Sequence, residues 1–248
     1  MLHSPLEQFQ IITIFELKFG SLILHFTNSS LFILVVIASV VVFISTVMLN
    51  ATVVPNRWQS IVELVYEFIF SMVNENIGKK GQEHFPLVFT IFISILFCNL
   101  IGMVPYTFTV TSHIIATFGL ALTMWLGITI IGFVNHGISF FSFFAPPGAP
   151  LALAPLLVVI ELISYVFRAL SLSIRLFANM MAGHTLFKIV SGFTFIMMNY
   201  CLFFYIISVL PLGLLFAFTF LEVGVAILQA YVFTVLVCIY LNDSIYLH

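Results

Sequence analysis

Six charged side chains in the second half of this chain combine acidic and basic chemistry with helical spacing. They are Glu161, Arg168, Arg175, Lys188, Glu222 and Asp243. Three of them, Glu161, Arg168 and Arg175, are seven residues apart, so they share one face of a helix. A carboxylate can take up and release a proton, whereas arginine keeps its proton at any physiological pH. Such a row could pass protons through its carboxylates and block them at an arginine.

Uncharged polar residues fill the intervals of this stripe at offsets of three or four: Ser164, Ser171 and Asn179. From Glu161 to Arg175 the stripe would extend about 21 Å along a helix. Because a lipid-facing arginine at mid-bilayer costs about 2.5–3.5 kcal/mol, the stripe must face protein or water. The alternative is an ion pair of Glu161 with Arg168 that joins two helices. This alternative explains Arg175 less well, since no carboxylate lies within one turn of it.

The last apolar segment offers an answering face, because Glu222, Gln229 and Asp243 are separated by multiples of seven. One antiparallel register brings three polar pairs together: Glu161 with Asp243, Arg175 with Gln229, and His184 with Glu222. Titratable groups then lie at both ends of the pairing, with Lys188 one turn from His184. The permanently charged Arg175 lies between them. This order predicts a proton barrier with an access route on each side.

The elements that position these residues must be membrane helices. The chain has 248 residues, of which 62% are hydrophobic and only 6% are charged, whereas a soluble domain has about 25% charged residues. The net charge of −2 gives no indication of a nucleic-acid partner. Cys98, Cys201 and Cys238 are isolated in apolar runs, which predicts neither a metal site nor a disulfide framework.

Apolar runs long enough to span a bilayer are predicted at residues 31–49, 86–104 and 114–134. Residues 57–76 alternate apolar and polar positions with helical period, which indicates a helix on the membrane surface. A very long helical pattern covers 155–190, with a weak break at 191–192, and a last helix extends from the second break at 211–213 to about residue 241. No internal repeat is evident. We expect an all-α membrane protein with a single domain over residues 1–248.

The charged segment also resembles a known family. SLSIRLFANMMAGH at 171–184 resembles the signature of the subunit a family of rotary ATP synthases. IELISYVFRA before it, NLIGMVPY at 99–106 and LEVGVAILQAYVF at 221–233 resemble the family's other segments. The resemblance covers essentially the whole chain and is strongest to the fungal mitochondrial branch.

This resemblance implies a fold, a location and partners. The fold would be one steep span, a surface helix, two further spans and a long tilted helical hairpin. The chain would lie in the mitochondrial inner membrane beside a ring of c subunits, with other membrane and peripheral-stalk subunits of the complex. It would have no cofactor, and a leader of residues 1–3 could be cleaved. With no GxxxxGK phosphate loop in the chain, nucleotide chemistry would belong to other subunits.

The resemblance also implies roles for the polar residues. Arg175 would be the essential arginine that faces a carboxylate of the rotor. Five residues would line the path from the intermembrane side: His184, Glu222, Asn179, Gln229 and, less firmly, Asn99. Glu161 and Asp243 would line the matrix path, with Arg168 and Lys188 in supporting positions.

Three other functions compete with this interpretation. An ion-coupled transporter would also carry ionisable groups at mid-membrane, but it should show an internal repeat. A haem-bearing subunit would use His113, His136 and His184 as ligands, although these do not form helix-facing pairs. A purely structural subunit would explain the apolar spans but not a charged stripe opposite an acidic one.

Overall fold

The computed structural model describes residues 4–19, 22–49, 51–104, 107–144, 154–200, 205 and 207–246. The expected leader at residues 1–3 lies outside the described residues, as does Cys201. Within these described ranges, six long helices follow one another: α1 (Asn28–Leu49), α2 (Arg57–Asn76), α3 (Phe85–Gly102), α4 (Ile114–His136), α5 (Ala154–Tyr200) and α6 (Val209–Ile245). This succession confirms the predicted all-α membrane class.

Five of these helices, all except α2, are long and apolar enough to cross a membrane within the described part of the chain. Helix α2 has the bounds expected from its amphipathic pattern, and its apolar face buries Ile69, Met72 and Val73. The opposite side of α2 exposes polar and charged residues such as Glu63 and Glu67. Such a division of faces is typical of a helix that lies along a membrane surface.

Helices α5 and α6 are much longer than a bilayer is thick. With 47 and 37 residues, they extend over about 70 Å and 55 Å, whereas the hydrocarbon core measures about 30 Å. A helix of that length must either run obliquely through the membrane or extend well beyond it. The length therefore agrees with the expected tilted hairpin.

The predicted break at 191–192 is wrong, because α5 continues through it to Tyr200. A single glycine inside a helix costs only about 1 kcal/mol, which neighbouring helical residues easily offset. Ser191 turns its hydroxyl back to the carbonyl of Lys188 at 3.0 Å and so stays within the helix. The second predicted break, 211–213, is also helical, because α6 already begins at Val209. Pro211 lies in the first turn of α6, where no backbone bond is lost.

An N-terminal hairpin was not predicted from the sequence. Strands β1 (Thr13–Phe19) and β2 (Leu22–Thr27) pair antiparallel, after a short 3₁₀ helix at Pro5–Phe9. Phe15 stacks on Phe26 at 4.6 Å between ring centroids. The side chain of Asn28, the first residue of α1, donates to the carbonyl of Gln10 and accepts from the amide of Ile12. These bonds attach the N-terminal segment to the start of α1.

The chain divides into two compact units that take alternate parts of the sequence. The first unit comprises the described residues within Met1–Val40, Ser94–His113 and Leu176–Ala230. The second comprises those within Val41–Ile93, Ile114–Arg175 and Tyr231–His248. The predicted site residues therefore fall into two groups, one in each unit.

Candidate functional site

In the second unit, the predicted matrix-side residues meet at one guanidinium. Arg168 on α5 donates through Nη1 to Asp243 Oδ2 on α6 at 3.3 Å and through Nη2 to Glu161 Oε1 at 3.4 Å. All three side chains are partly buried, with relative exposures of 22% for Arg168, 36% for Glu161 and 27% for Asp243. Two carboxylates thus share one cation, and the group carries one net negative charge.

Two tyrosine rings flank the same guanidinium. The Cζ atom of Arg168 lies 5.2 Å from the ring centroid of Tyr240 and 5.8 Å from that of Tyr165. Both distances are within the range of a cation–π interaction. Helix α4 holds Tyr165 in turn, because the hydroxyl of Thr129 lies 2.7 Å from the Tyr165 hydroxyl and Trp125 donates to the Tyr165 carbonyl.

Arg175, two turns beyond Arg168 on α5, has a different environment. It is exposed on the surface of the chain, as is Ser171 one turn before it. Within the described residues no carboxylate forms an ion pair with Arg175. It lies near the middle of a helix that qualifies as a membrane span. The structure therefore leaves this charge directed outward, available to a neighbour.

In the first unit, an imidazole and a carboxylate face each other. Nδ1 of His184 on α5 lies 3.8 Å from Oε1 of Glu222 on α6, and both side chains are largely buried. The distance is beyond a direct hydrogen bond but within reach of one through water or a small movement. Gly183 packs against the same carboxylate, since a β-carbon there would lie 2.6 Å from Oε1. The edge of Phe9 contacts the imidazole ring, with centroids 6.5 Å apart.

Amide side chains continue this group along α6. Asn179 donates to Gln229 Oε1 at 2.9 Å, and only 5% of Gln229 is exposed. Asn99 on α3 is fully buried and donates to the carbonyl of Ala226 at 3.3 Å. Since Ala226 lies one turn from both Glu222 and Gln229 along α6, the three helices bring all these amides to one stretch of that helix.

Several buried polar atoms of this group have no hydrogen-bond partner among the described residues. They are Oδ1 of Asn99, Nε2 of His184 and Oε1 of Glu222. Buried polar atoms are nearly always hydrogen-bonded to protein or to water, because leaving them bare costs about 1–3 kcal/mol each. Three such atoms in one apolar unit indicate a place where water molecules are needed.

The predicted antiparallel register is correct in direction and approximate in detail. The pairing of His184 with Glu222 is confirmed. Gln229 bonds Asn179, one turn beyond the Arg175 predicted for it. Asp243 and Glu161 do not pair directly but meet through Arg168. The alternative ion pair between Glu161 and Arg168 is observed, but it lies within α5 and does not join two helices; Asp243 makes the link from Arg168 to α6.

The remaining predicted residues have less defined surroundings. Lys188, one turn after His184, is half-buried, and its ammonium forms no ion pair with the described residues.

The histidines considered as haem ligands have separate partners. His136 bonds the Ile245 carbonyl at 3.2 Å, and His113 stacks on Phe108. Burial lowers the pKa of His113 below its usual value. These separate partners do not support a shared haem.

Sequence reasoning missed three residues that shape the site: Gly183, Tyr165 and Tyr240. A signal for the tyrosines was present, because each precedes a predicted charged site residue by three positions, Arg168 and Asp243 respectively. Helical geometry places such neighbours side by side. The importance of Gly183 depends on the approach of another helix, which a single helical pattern does not reveal.

Comparison with known proteins gives a consistent result. The family model described as ATP synthase A chain matches residues 29–242. ATP synthase subunit a of Marchantia polymorpha is 56% identical over 249 residues, which covers 99% of both chains. The subunits a of Oenothera berteroana and Chondrus crispus are 54% and 50% identical, over 99% of this chain and 90% and 97% of theirs. The narrower resemblance to a fungal branch stays a prediction.

Proposed function

We propose, from the premise that this chain belongs to the ATP synthase A chain family, that Arg175 separates two proton paths. Other side chains of this chain line both paths. Members of the family are the proton-translocating stator subunits of F-type ATP synthase. The chain is therefore not the catalytic subunit, and it assembles with the other subunits of the complex.

The outward exposure of Arg175 is the observation that carries this proposal. In lipid an exposed mid-span arginine would cost about 2.5–3.5 kcal/mol or more. That cost disappears if a neighbouring subunit supplies a carboxylate. The ring of c subunits is the neighbour we propose, and its carboxylate would be the group that Arg175 meets. A fixed cation there favours the ionised carboxylate through Coulomb attraction and blocks direct passage of protons.

We assign the path from the intermembrane side to the first unit. His184 and Glu222 are its titratable groups, and the amides of Asn99, Asn179 and Gln229 are its hydrogen-bonding lining. The unpartnered buried atoms there support this assignment, because water molecules that satisfy them would form a hydrated route. Lys188 lies one turn from His184, where its positive charge would limit the passage of other cations.

We assign the path to the matrix to the second unit. Glu161 and Asp243 are its titratable groups, and both are bound to Arg168. A proton that leaves the rotor would pass to this pair and then to the matrix. We assign this path to the matrix side because Arg57, Lys79 and Lys80 belong to the second unit. Positively charged residues are enriched on the matrix side of the membrane, so the positive-inside bias places the start of α2 and the start of α3 there.

The work of rotation then comes from charge movement. A proton from the intermembrane path neutralises a rotor carboxylate, and the neutral site can turn into lipid. When it returns to Arg175, the proton is released toward the matrix. Each charge moved across the membrane supplies about 2.3 kcal/mol per 100 mV. The inner mitochondrial membrane is the location we propose, with residues 1–248 acting as one membrane domain.

Replacing Arg175 in the assembled complex tests this proposal. Arg175→Ala should abolish proton-driven ATP synthesis while the complex still assembles. The matched control is Ile174→Ala, an exposed neighbour on the same helix that should retain synthesis. Retained coupled synthesis in the Arg175 variant would refute its role. Purification in mild detergent should co-isolate c subunits with this chain, and their absence would refute the proposed neighbour.

A further inference from the structure

The guanidinium of Arg168 is held by more than its ion pairs. Its two bonds to Asp243 and Glu161 measure 3.3 and 3.4 Å, which is longer than the 2.7–2.9 Å typical of a strong charged hydrogen bond. Ion pairs of this length restrain a long, flexible side chain only loosely. The rings of Tyr240 and Tyr165, 5.2 and 5.8 Å from Cζ, supply the additional contacts.

The two rings come from different helices and are not equally anchored. Tyr240 belongs to α6, as Asp243 does. Tyr165 belongs to α5, where its hydroxyl lies 2.7 Å from that of Thr129 on α4. Trp125, also on α4, donates to the Tyr165 carbonyl at 3.1 Å and packs against its ring at 5.4 Å between centroids. Three helices thus converge to fix the place of one guanidinium.

We propose that Tyr165 and Tyr240 are positioning residues that keep Arg168 between Glu161 and Asp243. The inference rests on the proposed matrix path. With the cation held centrally, one of the two carboxylates can take up a proton and release it while the other stays paired with Arg168. On protonation of Asp243, the proton adds to a carboxylate oxygen and Arg168 keeps all its own protons. The rings and Glu161 retain the guanidinium until that proton leaves.

Among the described residues, the charged and titratable side chains in contact with this group lie on two helices. Helix α5 contributes Glu161 and Tyr165, with Arg175 two turns beyond Arg168. Helix α6 contributes Tyr240 and Asp243. The contacts from α4, Thr129 and Trp125, are uncharged. A change in the pH profile after loss of a ring would therefore report on the carboxylate pair and Arg168.

The test compares Tyr240→Leu with Tyr240→Phe in the assembled ATP synthase. Phenylalanine keeps the ring face and should behave like the parent protein. Leucine removes it and should lower the rate of proton release on the matrix side about fivefold, with a shifted pH midpoint. Assembly is measured on native gels. If the leucine variant fails to assemble, Tyr165→Leu compared with Tyr165→Phe tests the other ring in the same way.

A double-mutant cycle separates positioning from a merely structural role. If the rings act through Arg168, then Tyr240→Leu should have no further effect in an Arg168→Gln background. An undiminished effect there, or equal rates for the leucine and phenylalanine variants, would overturn the proposal. Asp243→Asn serves as the reference for the path itself. If Asp243→Asn leaves matrix-side release unchanged, the assigned matrix path fails, whatever the tyrosine variants do.

Discussion

The backbone of Gly183 packs directly against the carboxylate of Glu222. A β-carbon at Gly183 would lie 2.6 Å from Oε1 of Glu222, closer than real side chains approach. The same oxygen faces Nδ1 of His184, the next residue, at 3.8 Å. The absence of a side chain at this one position therefore controls how near the imidazole and the carboxylate can come.

Gly183→Ala should impair proton translocation without removing any titratable group. The added methyl group must displace the Glu222 carboxylate, and misplacing a reacting group by about 1 Å can cost up to about a hundredfold in rate. We expect proton-driven ATP synthesis to fall at least tenfold, measured in membrane vesicles and normalised to the amount of assembled complex. The matched control is Gly192→Ala on the same helix, where nothing lies within 4 Å of an added β-carbon. Equal rates in the two variants would contradict the spacing role of Gly183.

Glu222→Gln should slow proton uptake from the intermembrane side only. Glutamine keeps the shape and polarity of the side chain but cannot titrate, and loss of a proton-transferring group typically costs about 10²–10⁴-fold. Acid pulses applied separately to each side of oriented vesicles measure the two rates. If both sides slow equally, the division into two paths is wrong.

Exchanging the two titratable residues should recover part of that loss. His184→Glu combined with Glu222→His keeps one imidazole and one carboxylate at the facing positions. We expect the double variant to translocate protons faster than either single exchange, because the pair rather than the individual position carries the chemistry. A double variant no better than the singles would argue against a working pair.

Asn99→Leu should lower the rate of proton uptake while leaving assembly of the complex nearly unchanged. The amide of Asn99 is fully buried, and its Oδ1 has no partner among the described residues. Leucine removes that bare acceptor together with one bond worth about 0.5–1.5 kcal/mol, so assembly should change little. Proton uptake should fall because the route loses a group that binds water. Asn199→Leu, which removes an exposed amide bonded within α5, is the control that should leave uptake intact.

Asn28→Ala should release the N-terminal segment. Its side chain makes the bonds to the Gln10 carbonyl and the Ile12 amide that join this segment to α1. Limited proteolysis of the purified complex should then cut residues 5–27 several times faster than in the parent protein. The control Ser45→Ala removes a hydroxyl bond internal to α1 and should leave the cleavage rate unchanged. Unaltered cleavage in the Asn28 variant would show that other contacts hold the segment.

Much of the helical architecture could be predicted because lipid allows few alternatives. A run of about twenty apolar residues in a bilayer satisfies its backbone only as a helix, and the bounds predicted for α2 agree with those observed. The hairpin at β1 and β2 was missed because its short mixed strands carry no membrane signal. The break predicted at Gly192 was wrong because local helix propensity is weak against the packing of a long span.

Residue types and their spacing were enough to predict that this protein lies in a lipid bilayer and which few charges remain within its spans. They also predicted that His184 and Glu222 face each other. The partner that each charge meets depended instead on how the helices pack. Arg168, not Arg175, binds Asp243 and Glu161, while Arg175 stays exposed. Ion-pair partners depend on the rotation and axial shift of two helices, and both are set by small apolar contacts summed along the whole interface.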